Sequence, residues 1–130
     1  SKDGTDMNPY EKYKHVPFSL GEFLKMVKTH REYFIHYCEI VITGNGLIFL
    51  ASPSHDSVVE WLKRKGFVNC ISVWYNTWEF GRYYNDWKFR RYDMRDYKRL
   101  TASQLRVLNS LINHGLILDM PYIGFYGKRL

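Results

Sequence analysis

Apolar residues recur at helical spacing in three parts of the chain and form nearly unbroken runs in others. Leu20, Phe23, Leu24 and Val27 make the first stripe, which predicts a helix from about residue 19 to residue 31. Ser19 followed by Glu22 is a capping box, in which two side chains satisfy helix amides that have no partner within the helix. Phe18 and Phe23 stand at the two positions of a hydrophobic staple, with Pro17 just outside. The last stripe repeats this grammar. Thr101 and Gln104 form the box, Leu100 and Leu105 the staple, and Leu105, Leu108 and Ile112 the expected buried side, before Asn113-His114-Gly115 ends the helix. Between these two, Val58, Trp61, Leu62 and Lys65 predict a helix that Ser54 caps and Gly66 stops. Asp56 lies in its positive first turn, and Lys63, Arg64 and Lys65 lie at its negative end.

Strand signals fill the intervals. Residues 33–51, YFIHYCEIVITGNGLIFLA, predict two strands joined at Asn45-Gly46, a pair that favours the left-handed backbone of a tight hairpin turn. Residues 40–42 and 47–50 are almost continuously apolar, which fits strands covered on both faces. Residues 67–75 predict another strand. WEFGRYY and WKFRRY flank Asn85-Asp86, and pairing them about that turn sends Phe80, Arg82, Tyr84, Trp87, Phe89 and Arg91 to a core-facing side. Tyr83, Lys88, Arg90 and Tyr92 then face outward. LILD and YIGFYG are short enough for edge strands. No repeat, linker or low-complexity tract divides the chain. The expected fold class is α+β: a single compact domain over residues 18–130, with a mixed, mostly antiparallel sheet and about three helices packed on it. Residues 1–17 are set aside as an N-terminal extension, and two small lobes joined near residues 93–100 are the alternative.

Composition changes this picture in one respect. A chain of 130 residues has the size of one domain and needs neither metal nor disulfide to fold. Its aromatic content of 18% exceeds what one modest core takes up, so some rings must serve at a surface or in a contact. The formal charge of +6 is unevenly placed: residues 82–99 hold seven Arg/Lys against three Asp, a net +4, leaving +2 for the rest. Such a field favours an anionic partner.

Candidate chemistry adds little. His36 and Cys38, two residues apart on a strand, would share a face, yet no close pair of metal-ligand spacing accompanies them, so neither a metal site nor a cofactor is expected. Cys38 and Cys70 both fall in apolar, strand-like surroundings, which predicts small buried thiols. Ser54 and His55 precede or open a helix, where free amides can hold an anion. His55 and Asp56 are adjacent and diverge on a helix, so they make no catalytic relay, and no glycine-rich phosphate loop or nucleophile elbow occurs. No catalytic residue is assigned. No apolar run approaches the length of a membrane span, and the cytoplasm is the expected location.

The expectation that remains is a non-catalytic binding or accessory protein. Its surface would comprise Arg82, Tyr83, Lys88, Arg90, Tyr92, Arg95, Tyr97, Lys98 and Arg99. Tyrosine and arginine anchor protein interfaces well, and the interspersed aspartates suit a patterned protein partner or a second copy of the chain. The alternative partner is single-stranded or structured nucleic acid, with cations on phosphates and tyrosines on unpaired bases. The same residues also fit a purely structural role, in which long cationic stems cover rings on a solvated sheet. A small hydrolase or phosphate-handling enzyme is a distant third reading. The last helix carries Ser103, Gln104, Arg106 and Asn109 as further contact candidates, but without the partner helices of a helix-turn-helix.

Overall fold

The computed structural model describes residues 8–34, 37–51, 55–76, 90–91, 99–115 and 122–125. In chain order these form α1 (Pro9–Lys12), α2 (Leu20–Thr29), a 3-10 turn (Arg31–Tyr33), β1 (Tyr37–Ile42), β2 (Ile48–Leu50), α3 (His55–Arg64), β3 (Ile71–Asn76), β4 (Arg90–Arg91), α4 (Ala102–Asn113) and β5 (Tyr122–Phe125). The strands make one sheet of order β2-β1-β3-β5-β4, and every described pairing is antiparallel. The α+β class follows directly. Because β5 returns between β3 and β4, the chain on either side of residues 93–100 contributes to the same sheet.

Strand alternation divides the core in two. Ile40 sits between Leu50 and Val73, and Val73 in turn lies opposite Ile123. These residues, with Cys38, Ile42, Ile48 and Ile71, pack against Phe23, Met26 and Val27 of α2 and Val107, Leu108 and Leu111 of α4. Val41 and Phe49 point the other way, onto Val58, Val59 and Leu62 of α3, with Cys70 beside them. The apolar runs are therefore strands covered on both faces, since period-two alternation puts successive residues into different cores.

Local signals and structure agree at the helix ends. Both capping boxes form, and the Phe18 and Phe23 rings of the first staple meet edge-on at 6.2 Å. Helix α3 ends as Gly66 suggests: the Gly66 N–H donates to the Lys63 carbonyl at 3.0 Å and the Phe67 N–H to the Leu62 carbonyl at 3.0 Å. These are the paired bonds of a Schellman cap, and Phe67 folds back onto Phe49 at 5.9 Å.

Four expectations need correction. The hairpin turn spans three residues, Gly44-Asn45-Gly46, between Thr43 and Leu47, whose N–H···O=C bond measures 2.9 Å. Only Gly46, at φ +90, is left-handed; Asn45 instead accepts from the Thr43 hydroxyl, which itself receives the Leu47 N–H at 3.0 Å. The buried side of α4 is Gln104, Val107, Leu108 and Leu111, while Leu105 and Ile112 flank it. On α2 the buried set is Phe23, Met26 and Val27, with Leu20 and Leu24 at its margin. The strand expected from residue 67 begins at Ile71, because Asn69 takes a left-handed backbone at φ 56 and breaks the extended run.

Residues ahead of position 18 add to this core. Tyr10 is buried against Phe34, their rings 5.5 Å apart, and Tyr13 meets the Phe18 ring edge-on at 5.4 Å. Phe18 exchanges two backbone hydrogen bonds of 2.9 Å with Ile48, so the N-terminal segment covers the outer edge of β2.

Candidate functional site

Of the expected binding residues, Arg82, Tyr83, Lys88, Tyr92, Arg95, Tyr97 and Lys98 lie outside the described residues, as do Ser54 and the Asn85-Asp86 turn. Arg90 and Arg91 form β4, opposite Ile123 and Tyr122 of β5, which makes β4 the outermost described strand on that side. Arg99 is half-buried immediately before the buried Leu100 and the Thr101 cap of α4. His55 is the first residue of α3. The described part thus brings together the two arginines of β4 with β5, and sets Arg99 at the foot of α4.

The cysteines separate. Cys38 belongs to the core under α2 and α4, Cys70 to the core under α3, and both are free thiols. Burial pushes the Cys38 thiol up to about 12. Cys70 rises to about 11, again through burial, with Lys63 opposing the shift. Burial thus disfavours the thiolate at both positions, the opposite of what an activated cysteine nucleophile needs. His36 lies outside the described residues, and among the described ones no three His, Cys, Asp or Glu side chains gather as a metal site.

The N-terminus of α4 is the best-connected polar feature described. Gln104 is fully buried, its Nε2 donating to the Ile42 carbonyl at 3.2 Å and also to the Asn69 carbonyl, while its Oε1 accepts the Thr101 N–H at 3.0 Å. The Thr101 hydroxyl donates to the Gly44 carbonyl at 2.7 Å. Gln104 is therefore not available for partner contacts, contrary to the expectation for the outer face of this helix; Arg106 is exposed, with Ser103 and Asn109 half-exposed. A cavity of about 310 Å3 lies beside this junction, lined by Gly44, Asn45, Gly66, Phe67, Asn69 and Thr101. A larger one of about 490 Å3 opens between the C-terminal ends of α2 and α4, with Leu24, Val27 and Phe34 as its apolar wall and Lys28, Arg31 and His114 as its polar rim.

A second basic aromatic cluster was missed by sequence reasoning. The His15 ring stacks on Trp61 of α3, centroids 4.1 Å apart and planes within 5°. Lys65 places its Nζ 5.7 Å from the Trp61 centroid, and Phe49 supports Trp61 edge-on at 6.0 Å from below. Lys63 is taken up by Glu60 at 3.3 Å, so the cation run at the end of α3 splits between an ion pair and a ring contact. Burial, Lys14 and Arg64 together hold the His15 imidazole below its ordinary value. The sequence does carry a cue to this cluster, the interleaved KYKH of residues 12–15, but nothing local pairs it with α3.

No family model matches the chain, and neither a curated protein nor a solved structure shows significant similarity to it. Among the described residues, no helix is long and apolar enough to cross a membrane.

Proposed function

We propose that the chain is a non-catalytic binding or accessory protein that engages a protein partner through the basic aromatic stretch of residues 82–99. The observation that carries this reading is the position of Arg90 and Arg91. They occupy the outermost described strand on their side of the sheet, within the segment that concentrates the chain's net positive charge. An edge strand offers backbone groups to a partner while arginines supply large, polar-ended contacts, a combination that suits a protein interface. A cytoplasmic setting is part of the proposal, and the two buried free thiols suit it.

A photo-crosslinking side chain introduced in place of Tyr92 tests the reading. A protein should be trapped there, and Arg90→Ala/Arg91→Ala should reduce its yield severalfold while leaving the thermal midpoint nearly unchanged. Light scattering separates a second copy of the chain from a different partner. If the position traps nucleic acid instead, or traps the same protein equally well in the double variant, the protein-partner reading through these arginines fails.

A further inference from the structure

His15 combines three features that packing alone does not require. Its backbone is left-handed at φ 60, a conformation that strains a non-glycine residue. That backbone accompanies a nearly parallel stack on Trp61, which remains half-exposed. Its Nε2 is buried without a hydrogen-bond partner among the described residues.

Among the described residues, the charges that act on the stacked pair are cationic. Lys14, Arg64 and Lys65 are all exposed; Lys14 and Arg64 act on the His15 ring, and Lys65 lies over Trp61. Glu60, the carboxylate in the C-terminal half of α3, is engaged by Lys63. We propose that Lys14, His15, Trp61, Arg64 and Lys65 form a binding site for single-stranded nucleic acid. The three cations hold backbone phosphates, and the His15–Trp61 pair provides a flat surface for an unpaired base.

Charge complementarity selects an anionic polymer, and the rings select among anionic polymers. Stacking on an aromatic side chain strengthens binding and tolerates any base, because every base has a π-face. A duplex keeps its bases stacked on one another and presents phosphates alone. An acidic peptide presents carboxylates without rings, so it would engage the cations and leave the stacked pair unused. The surface lies on the loop after α1 and the C-terminal end of α3, and shares no residue with the stretch 82–99, so it stands or falls independently of the protein-partner reading.

Fluorescence anisotropy of an end-labelled oligothymidylate, titrated with the full chain at about 50 and about 200 mM salt, tests this site. Lys14→Ala/Arg64→Ala/Lys65→Ala should weaken binding roughly tenfold at the lower salt. It should also flatten the log–log salt slope by about 2, the sum expected for three single-strand phosphate contacts. All three positions are exposed, and a thermal melt verifies that the variant folds. His15→Asn, which tolerates the left-handed backbone, should weaken binding severalfold without changing the salt slope. The proposal is overturned by absence of binding at the lower salt, or by unchanged affinity in the triple variant. It is equally overturned if polyglutamate or duplex displaces the labelled strand as well as unlabelled oligothymidylate does. Binding lost in Arg90→Ala/Arg91→Ala but retained in the triple variant would move the contact to residues 82–99 and also overturn it.

Discussion

Helices α2 and α4 begin with the same sentence of sequence and put it to different use. In each, a hydroxyl caps the N3 amide and the N3 side chain returns to the cap: Glu22 N–H to Ser19 Oγ at 3.3 Å and Ser19 N–H to Glu22 Oε1 at 2.9 Å, against Gln104 N–H to Thr101 Oγ1 at 3.1 Å and Thr101 N–H to Gln104 Oε1 at 3.0 Å. Ser19 and Glu22 are exposed, and their box serves α2 alone. Thr101 and Gln104 spend their remaining donors on other elements: Gly44 in the hairpin turn, Ile42 at the end of β1 and Asn69 ahead of β3. One box only starts a helix, and the other also ties its helix to three separate segments. Capping satisfies local amides in both cases, but only a neutral amide at N3 has donors left to reach buried carbonyls.

The largest expected effect therefore falls on Gln104. Gln104→Glu keeps the acceptor for the Thr101 amide but turns two donated bonds into a carboxylate facing two carbonyl oxygens in a fully buried site. Urea unfolding near neutral pH should show a loss of about 3–5 kcal/mol, the scale for an uncompensated buried charge. Desolvation would raise the pKa of the introduced carboxyl. The folded state would then bind a proton that the unfolded state has released, and the loss should shrink as pH falls toward the ordinary carboxylate range. A loss below 1 kcal/mol, independent of pH, would show that the amide is a cap and nothing more.

Thr101→Ala should come next. It removes the N3 cap and the hydroxyl bond to Gly44, leaving a half-buried carbonyl in the hairpin turn without that donor, at a cost of about 1–2 kcal/mol. Ser19→Ala removes only a solvent-exposed cap and should cost about 1 kcal/mol or less. The comparison breaks if the two threonine and serine losses are equal in the same denaturant series, since the link to Gly44 would then contribute nothing measurable.

The same contrast explains what could be read in advance. Both boxes, the Phe18–Phe23 staple and the Gly66 stop depend on residues within a few positions of one another, so spacing alone identifies them. The inward turn of Gln104 depends on carbonyls of Ile42 and Asn69, far away in sequence, and a hydrophobic stripe scores glutamine as a surface residue. The apolar stripe therefore points through Leu105 and Ile112, each one position round the helix from the buried Gln104 and Leu111 and on the flank of the core. Met26 is the converse, a residue left out of the α2 stripe although it is buried. The His15–Trp61 stack failed to register for the Gln104 reason: it joins a loop to a distant helix through a left-handed backbone that no neighbouring glycine or asparagine announces. Arg90 and Arg91 were expected in a strand and lie in one, whereas the hairpin partner drawn for them falls outside the described residues.

The smallest effect sharpens the exposed half of the comparison. Glu22 is held below its ordinary value first by its hydrogen bond from the Ser19 amide, then by that from the Ser19 side chain, with Lys25 adding a minor attraction. A carboxyl whose folded pKa is depressed contributes stability that is present above its unfolded pKa and is lost as pH falls through its folded pKa. Glu22→Gln retains an oxygen that accepts the Ser19 amide but cannot titrate. The stability difference between the native chain and this variant should therefore be constant near neutral pH and should shrink as pH is lowered through and below the ordinary glutamate range. Its size will be small, because the group is fully exposed and salt screens it. Each variant's deficit against the native chain grows as pH rises, but the Glu-bearing chain minus the Gln-bearing chain rises with pH at position 22 and falls with pH at position 104. Two carboxyls at the same capping position, one in water and one among carbonyls, should thus give pH profiles that slope in opposite directions; parallel profiles would mean that burial does not distinguish the two boxes.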